Sequence, residues 1–202
     1  VASYRLATHL GLAFAILGLI AWYVFLLGRS DVELIQARRA RDAKLTSLST
    51  GLMHFAFLQI LLGALVAGID AGRNYTDWPL MAGGFLPPQP FDIQPLWRNF
   101  FENDGLVQFI HRIAAYLLFA FGIVAWRRAT RSANAATRFA FNAVMAMLVV
   151  QLLLGIATVL YGAPWPIAIV HQLGAVVLWV LILRARHLSI YPRAQSVRGR
   201  PA

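Results

Sequence analysis

The chain has 202 residues and no Cys, with 59% hydrophobic residues and only 13% charged ones, about half the ~25% of an ordinary soluble domain. Lys and Arg number 18 against 8 acids, for a formal net charge of +10. Apolar bulk with sparse charge points to a membrane-embedded chain and excludes a nucleic-acid binder, which would be rich in charge; the lack of Cys excludes a disulfide framework, Cys-ligated zinc or iron–sulfur, and a thiol nucleophile.

A spanning helix needs roughly 20 apolar residues. The first charge-free run, between Arg5 and Arg29, predicts a span over 6–28. It is too long and too charge-flanked for a signal peptide, and no A-x-A cleavage site follows it. Segment 29–45 carries Arg29, Arg38, Arg39, Arg41 and Lys44 and reads as a linker. A second span is predicted over 46–69. Loop 70–105 holds Gly83-Gly84, five prolines from Pro79 to Pro95, Trp78 and Trp97. Such a loop forms no long regular element, yet is too apolar to wave in water. It reads either as a lid over the outer helix ends or as a structural interfacial loop. Glu102-Asn103-Asp104 stands where it can cap the next helix. The third span, 106–126, is interrupted only by His111 and Arg112. From Phe139 to Leu183 there is no acid, Lys or Arg, and Gly162-Ala163-Pro164-Trp165-Pro166 divides that stretch into spans 139–161 and 166–184.

The expectation is an all-α, polytopic membrane bundle of five transmembrane helices. It divides into a first helix (1–28), a linker (29–45), a four-helix unit (46–186) and a basic tail (187–202). Five spans place segment 29–45, the turn 127–138 and the chain from Arg184 onward on one side, with 14 of the 18 basic residues. By the positive-inside rule that side is the cytoplasm. The N-terminus and loop 70–105 then face the periplasm, and the basic excess needs no acidic partner.

Two helices share a pattern. The second span carries Gln59-Ile60-Leu61-Leu62-Gly63 and the fourth Gln151-Leu152-Leu153-Leu154-Gly155. Each is followed by a helix with a His near its outer end, His111 and His171. Two related hairpins, one with a long insertion, make a four-helix bundle. Gln59 and Gln151 read as interhelical hydrogen-bonding groups, and Gly63, Gly68 and Gly155 as packing positions.

Depth separates the five histidines. His9, His111 and His171 lie roughly 6–9 Å below outer helix ends. His54 lies in the inner half and reads as a structural group in a helix–helix hydrogen bond to a Ser, Thr or carbonyl. His187 falls beyond the last span and is expected to be solvated. His111 and His171, as two neutral imidazoles across a bundle core, suit axial ligation of heme iron. Zinc would want further ligands; copper is not excluded by His alone. Arg112 reads as a propionate partner, as a side chain snorkelling to the outer interface, or as both.

The residues Tyr4-Arg5-Leu6-Ala7-Thr8-His9-Leu10, the run Leu65 to Gly72 leading to Trp78-Pro79-Leu80-Met81, the stretch Asn99 to Asn103 with Gln108-Phe109-Ile110-His111-Arg112, and His171-Gln172 form an ordered set. Together they resemble the heme A synthase family, in its proteobacterial and mitochondrial branch, over nearly the whole chain. The resemblance implies a bacterial inner-membrane enzyme of cytochrome c oxidase assembly. Its reaction is the oxygen-dependent oxidation of a heme O methyl group to the formyl group of heme A. It implies two related four-helix halves. The second holds heme B between His111 and His171, with Arg112 beside it; the first holds the substrate heme, with His9 as one of its iron ligands. Oxidation of a methyl needs iron with an open position, so the bis-His heme would carry electrons.

Three helices, the partner of His9, the outer-loop Glu associated with catalysis and the Cys pair of some bacterial members have no counterpart. The chain, which starts at Val1, therefore matches the C-terminal five helices, as a fragment or incomplete chain, and its catalytic residues are unknown. Implied partners are heme O, an electron donor, heme O synthase and membrane lipid, with no nucleic acid; homo-oligomerisation stays open. Two rival readings remain: a membrane cytochrome b that only carries electrons, and a heme-free assembly subunit.

Overall fold

The computed structural model describes residues 3–195. Five long helices, α1 (Ser3–Leu27), α3 (Ala43–Gly68), α5 (Asp104–Ala129), α6 (Ala135–Leu160) and α7 (Trp165–Ile190), are joined by two short ones, α2 (Asp31–Arg39) and α4 (Asn99–Glu102). A 26-residue helix reaches about 39 Å, enough for a ~30 Å hydrocarbon core. Among the described residues there is no strand, only an isolated bridge between Met81 and Gly84.

The helix starts follow from side chains that satisfy first-turn amides. Asp42 accepts from Leu45 N–H at 3.0 Å, Asn103 from Leu106 N–H at 2.8 Å and Asn134 from Thr137 N–H at 3.1 Å. The break between α6 and α7 is made by Gly162 and Ala163 at positive φ, followed by Pro164 and by Pro166 in the first turn of α7.

α3 pairs with α5, α5 with α6, α6 with α7, and α7 with α3, which closes a four-helix ring. α5 and α7 stand on one diagonal. α1 leans on the α3–α7 edge. Its small residues permit the approach: a Cβ on Gly18 would lie 3.1 Å from the Trp179 indole, which itself donates to the Phe14 carbonyl at 3.0 Å.

Packing differs along the bundle. Near the basic end the interior is closed by Leu45, Leu52, Leu118, Phe141, Leu148 and Ile182. Beyond it, no residue of α6 after Leu148 and none of α7 before Gly174 is buried.

Three expectations change. The linker contains a helix, α2, opened by a capping box between Ser30 and Glu33. α7 runs to Ile190 rather than stopping at 184, because its last turns stay packed. His187 is consequently not solvated: it is 4% exposed and its ring lies 5.6 Å from Trp22, 5.7 Å from Phe25 and 5.2 Å from Tyr191. The later part of the basic tail, 196–202 with Arg198 and Arg200, lies outside the described residues.

Candidate functional site

The two hairpins match residue for residue in their first helices. α3 and α6 each have 26 residues, with Gln59 and Gln151 at the seventeenth position and Gly63 and Gly155 at the twenty-first. The second helices also have 26 residues, with His111 eighth in α5 and His171 seventh in α7. At ~1.5 Å per residue the imidazoles hang at nearly equal depth. They belong to the diagonal helices, each lying against a glycine of the helix before it, so they face one interior from opposite sides.

Each imidazole is seated on a glycine. A Cβ on Gly63 would lie 3.1 Å from His111 Cε1, and one on Gly155 would lie 3.4 Å from His171 Cε1. Gln59 lies one turn below Gly63. Its Nε2 donates to the His111 carbonyl at 3.0 Å and sits 3.0 Å from Nδ1 and 3.5 Å from Nε2 of the ring. Such similar distances to two ring nitrogens place the amide beside the Cε1 edge or over the ring, not along one lone pair. In the second hairpin Gln151 lies against Gly174, where a Cβ would overlap its Nε2. His171 Nδ1 and Gln151 Nε2 are buried without protein partners among the described residues, as is Gln59 Oε1.

Arg112 does not snorkel. It is 7% exposed, and its guanidinium is turned into the loop. Nη1 donates to the Asp77 and Leu80 carbonyls at 3.0 and 3.1 Å, and Nη2 to the Tyr75 carbonyl at 2.9 Å and Gln108 Oε1 at 2.8 Å. Nε is buried and has no protein partner. Gln108 completes the connection by donating to the Ala71 carbonyl at 2.8 Å. Its role was not read from the sequence, although the spacing Gln108-x-x-x-Arg112 puts both side chains on one helix face.

The loop is thus tied to α5 beside the histidine. Trp78 Nε1 donates to the Tyr116 hydroxyl at 2.7 Å, and Met81 is buried. The loop has its own internal ties. The amides of Gly83 and Ala82 donate to the Asp77 carboxylate at 3.0 Å each and hold it below the ordinary carboxylate range. Of the expected capping stretch Glu102-Asn103-Asp104, Glu102 pairs with Arg98, which lowers its pKa and raises that of Arg98. Asn103 alone caps α5.

His9 stands apart. It is exposed on the α1 face that also presents Leu12, Ile16, Leu19 and Tyr23. His54 bonds through Nδ1 to the Thr50 carbonyl of its own helix at 2.9 Å, an intrahelical bond where a helix–helix one was expected. No three His, Asp or Glu side chains gather into a metal-binding cluster among the described residues.

A family model described as cytochrome oxidase assembly protein (COX15-CtaA) matches residues 1–183. Among curated relatives, heme A synthase of Ruegeria sp. (strain TM1040) is 70% identical over 199 residues, 98% of this chain and 52% of that protein. Heme A synthases of Ruegeria pomeroyi and Paracoccus denitrificans are 67% and 62% identical over the same shares. The chain therefore spans about half the length of the curated relatives it matches. No solved structure matches it.

Proposed function

Because the chain belongs to the cytochrome oxidase assembly protein family, we propose that it is part of a heme A synthase, with His111 and His171 as the axial ligands of a heme B. The observation that carries this reading is the duplicated seat: two imidazoles at matched depth on diagonal helices, each with its Cε1 edge on a glycine of the preceding helix. Cofactor sites of helix bundles are built in this way, from side chains on facing helices.

The chemistry of the donor set agrees. Two neutral imidazoles with no third ligand suit a porphyrin, whose iron needs only axial partners, and do not suit zinc. The half-buried histidine end adjoins a tightly packed one, which leaves the outer half of the bundle as the place for a flat apolar group. A bis-imidazole heme has no open position and supplies one-electron transfer when bound.

The protein's own residues do the rest. Gly63 lets His111 sit close to the helix behind it, and Gly155 takes the matching place behind His171. Gln59 fixes His111 by its carbonyl and its ring edge. Arg112 anchors the loop over the outer end, and its Nε remains available to an acceptor such as a propionate oxygen. The loop screens that end from water.

His9 belongs to a different surface. An exposed His among lipid-facing residues is costly in a membrane unless something covers it. We assign it to a substrate heme O shared with protein outside this chain, consistent with relatives about twice as long. An electron donor, heme O synthase and membrane lipid are the proposed partners. The basic ends are proposed to face the cytoplasm, and loop 70–105 the periplasm of a bacterial inner membrane.

The test is pigment extraction and a redox difference spectrum of the purified chain, with His111→Ala and His171→Ala alongside. Heme B in the parent, lost in both variants, is the expected result. Heme O or A alongside it favours the synthase over a cytochrome b that only carries electrons. A folded, heme-free parent from heme-replete cells overturns the reading in favour of an assembly subunit.

A further inference from the structure

The bundle end opposite the histidines holds a cleft of about 1040 Å³. It lies between α2, the start of α3, the α5–α6 turn and the segment after α7. Five arginines line it, Arg29, Arg41, Arg128, Arg131 and Arg193, with only two acids.

Both acids are already engaged. Asp42 pairs with Arg128 and caps α3. Glu33 closes the capping box with Ser30, whose backbone and side-chain hydrogen bonds lower its pKa. Arg29 donates to the Tyr191 carbonyl at 2.8 Å. Arg41, Arg131 and Arg193 are exposed and form no ion pair among the described residues.

The walls are fixed to one another. Asn134 Nδ2 donates to the Arg193 carbonyl at 2.7 Å, Asp42 N–H to the Ser189 carbonyl at 3.3 Å, and Gln195 Nε2 to the Ala133 carbonyl at 3.2 Å. Charge sorting across a membrane explains why arginines gather at this end. It does not explain why these line a walled cleft while Arg38, Arg39 and Arg127, at the same end, do not.

We propose that this cleft binds a phosphate-bearing anion through the guanidiniums of Arg41, Arg131 and Arg193. The forked donors of Arg match phosphate oxygens, and basic pockets at helix ends hold acidic lipid headgroups. The phosphate comes either from an acidic lipid or from a soluble compound.

The experiment is a calorimetric titration of the purified full chain in neutral detergent. One arm uses inorganic pyrophosphate, a second short-chain phosphatidylglycerol, and a third phosphatidylcholine as reference. Binding in the first arm identifies a soluble source and binding in the second alone a lipid headgroup; either supports the site. R41Q/R131Q/R193Q is expected to weaken binding by about tenfold or more. R38Q/R39Q/R127Q removes the same charge outside the cleft and is expected to stay within about twofold. R41K/R131K/R193K keeps the charge, protects insertion and folding, and is still expected to lose affinity because the fork is gone. Equal weakening by both Gln triples, unchanged affinity in the Lys triple, or no binding above phosphatidylcholine would overturn the proposal.

Discussion

Gly63 and Gly155 occupy equivalent positions but tolerate change differently. The 3.1 Å approach at Gly63 is tighter than an ordinary contact, whereas 3.4 Å at Gly155 is ordinary. Gly63→Ala must therefore push the His111 ring by a few tenths of an ångström, at about 1–3 kcal/mol of overpacking. We expect Gly63→Ala to alter the heme absorption spectrum or lower heme occupancy, and Gly155→Ala to resemble the parent. Equal spectra for both variants would show that the glycines do not seat the imidazoles. Arg112 makes a separate prediction. Arg112→Leu leaves the buried Gln108 Oε1 and three part-buried loop carbonyls without their donor, and a buried acceptor so deprived costs about 1–3 kcal/mol. Protease cleavage between residues 73 and 84 should accelerate several-fold. Arg112→Lys should restore protection only in part, because one ammonium cannot reach four acceptors spread around a planar fork. Cleavage at the parental rate in Arg112→Leu would contradict the anchoring role.

Among the elements, the long helices were legible because apolar length and proline breaks are local properties. α2 was missed inside a basic segment, although Ser30-x-x-Glu33 is itself a helix-start pattern. His187 was misplaced because its burial depends on α1 crossing the end of α7, which no local pattern encodes. The loop's irregularity was readable, but its anchoring through Arg112 was not: backbone carbonyls are the acceptors, and they leave no mark in side-chain identity. The loop also has a pH dependence. Asp77 has a pKa below its ordinary value of 3.8, because the Gly83 and Ala82 amides bond its carboxylate. Its contribution is full above that ordinary value and is lost as pH falls through the lower folded value. The protection factors of the Ala82 and Gly83 amides, taken against the intrinsic exchange rate at each pH, should therefore fall only in that acid range. Asp77→Ala should show fast exchange already at neutral pH, and slow exchange there would remove the carboxylate from the account.

Over the whole molecule, two hairpins of paired 26-residue helices repeat one arrangement, and their largest difference is a loop inserted into the first. The sequence disclosed the repeat, since Gln, Gly and His recur in order. It disclosed matched depth but not the diagonal placement, which depends on how four helices close into a ring. The central claim is that His111 and His171 share one iron. Low-temperature electron paramagnetic resonance of the oxidised protein, read with the near-infrared magnetic circular dichroism band of bis-imidazole ligation, tests it most directly. The account predicts a single low-spin bis-imidazole heme that becomes high-spin or disappears in His111→Ala and in His171→Ala alike. A bis-imidazole signal that survives either substitution would contradict it.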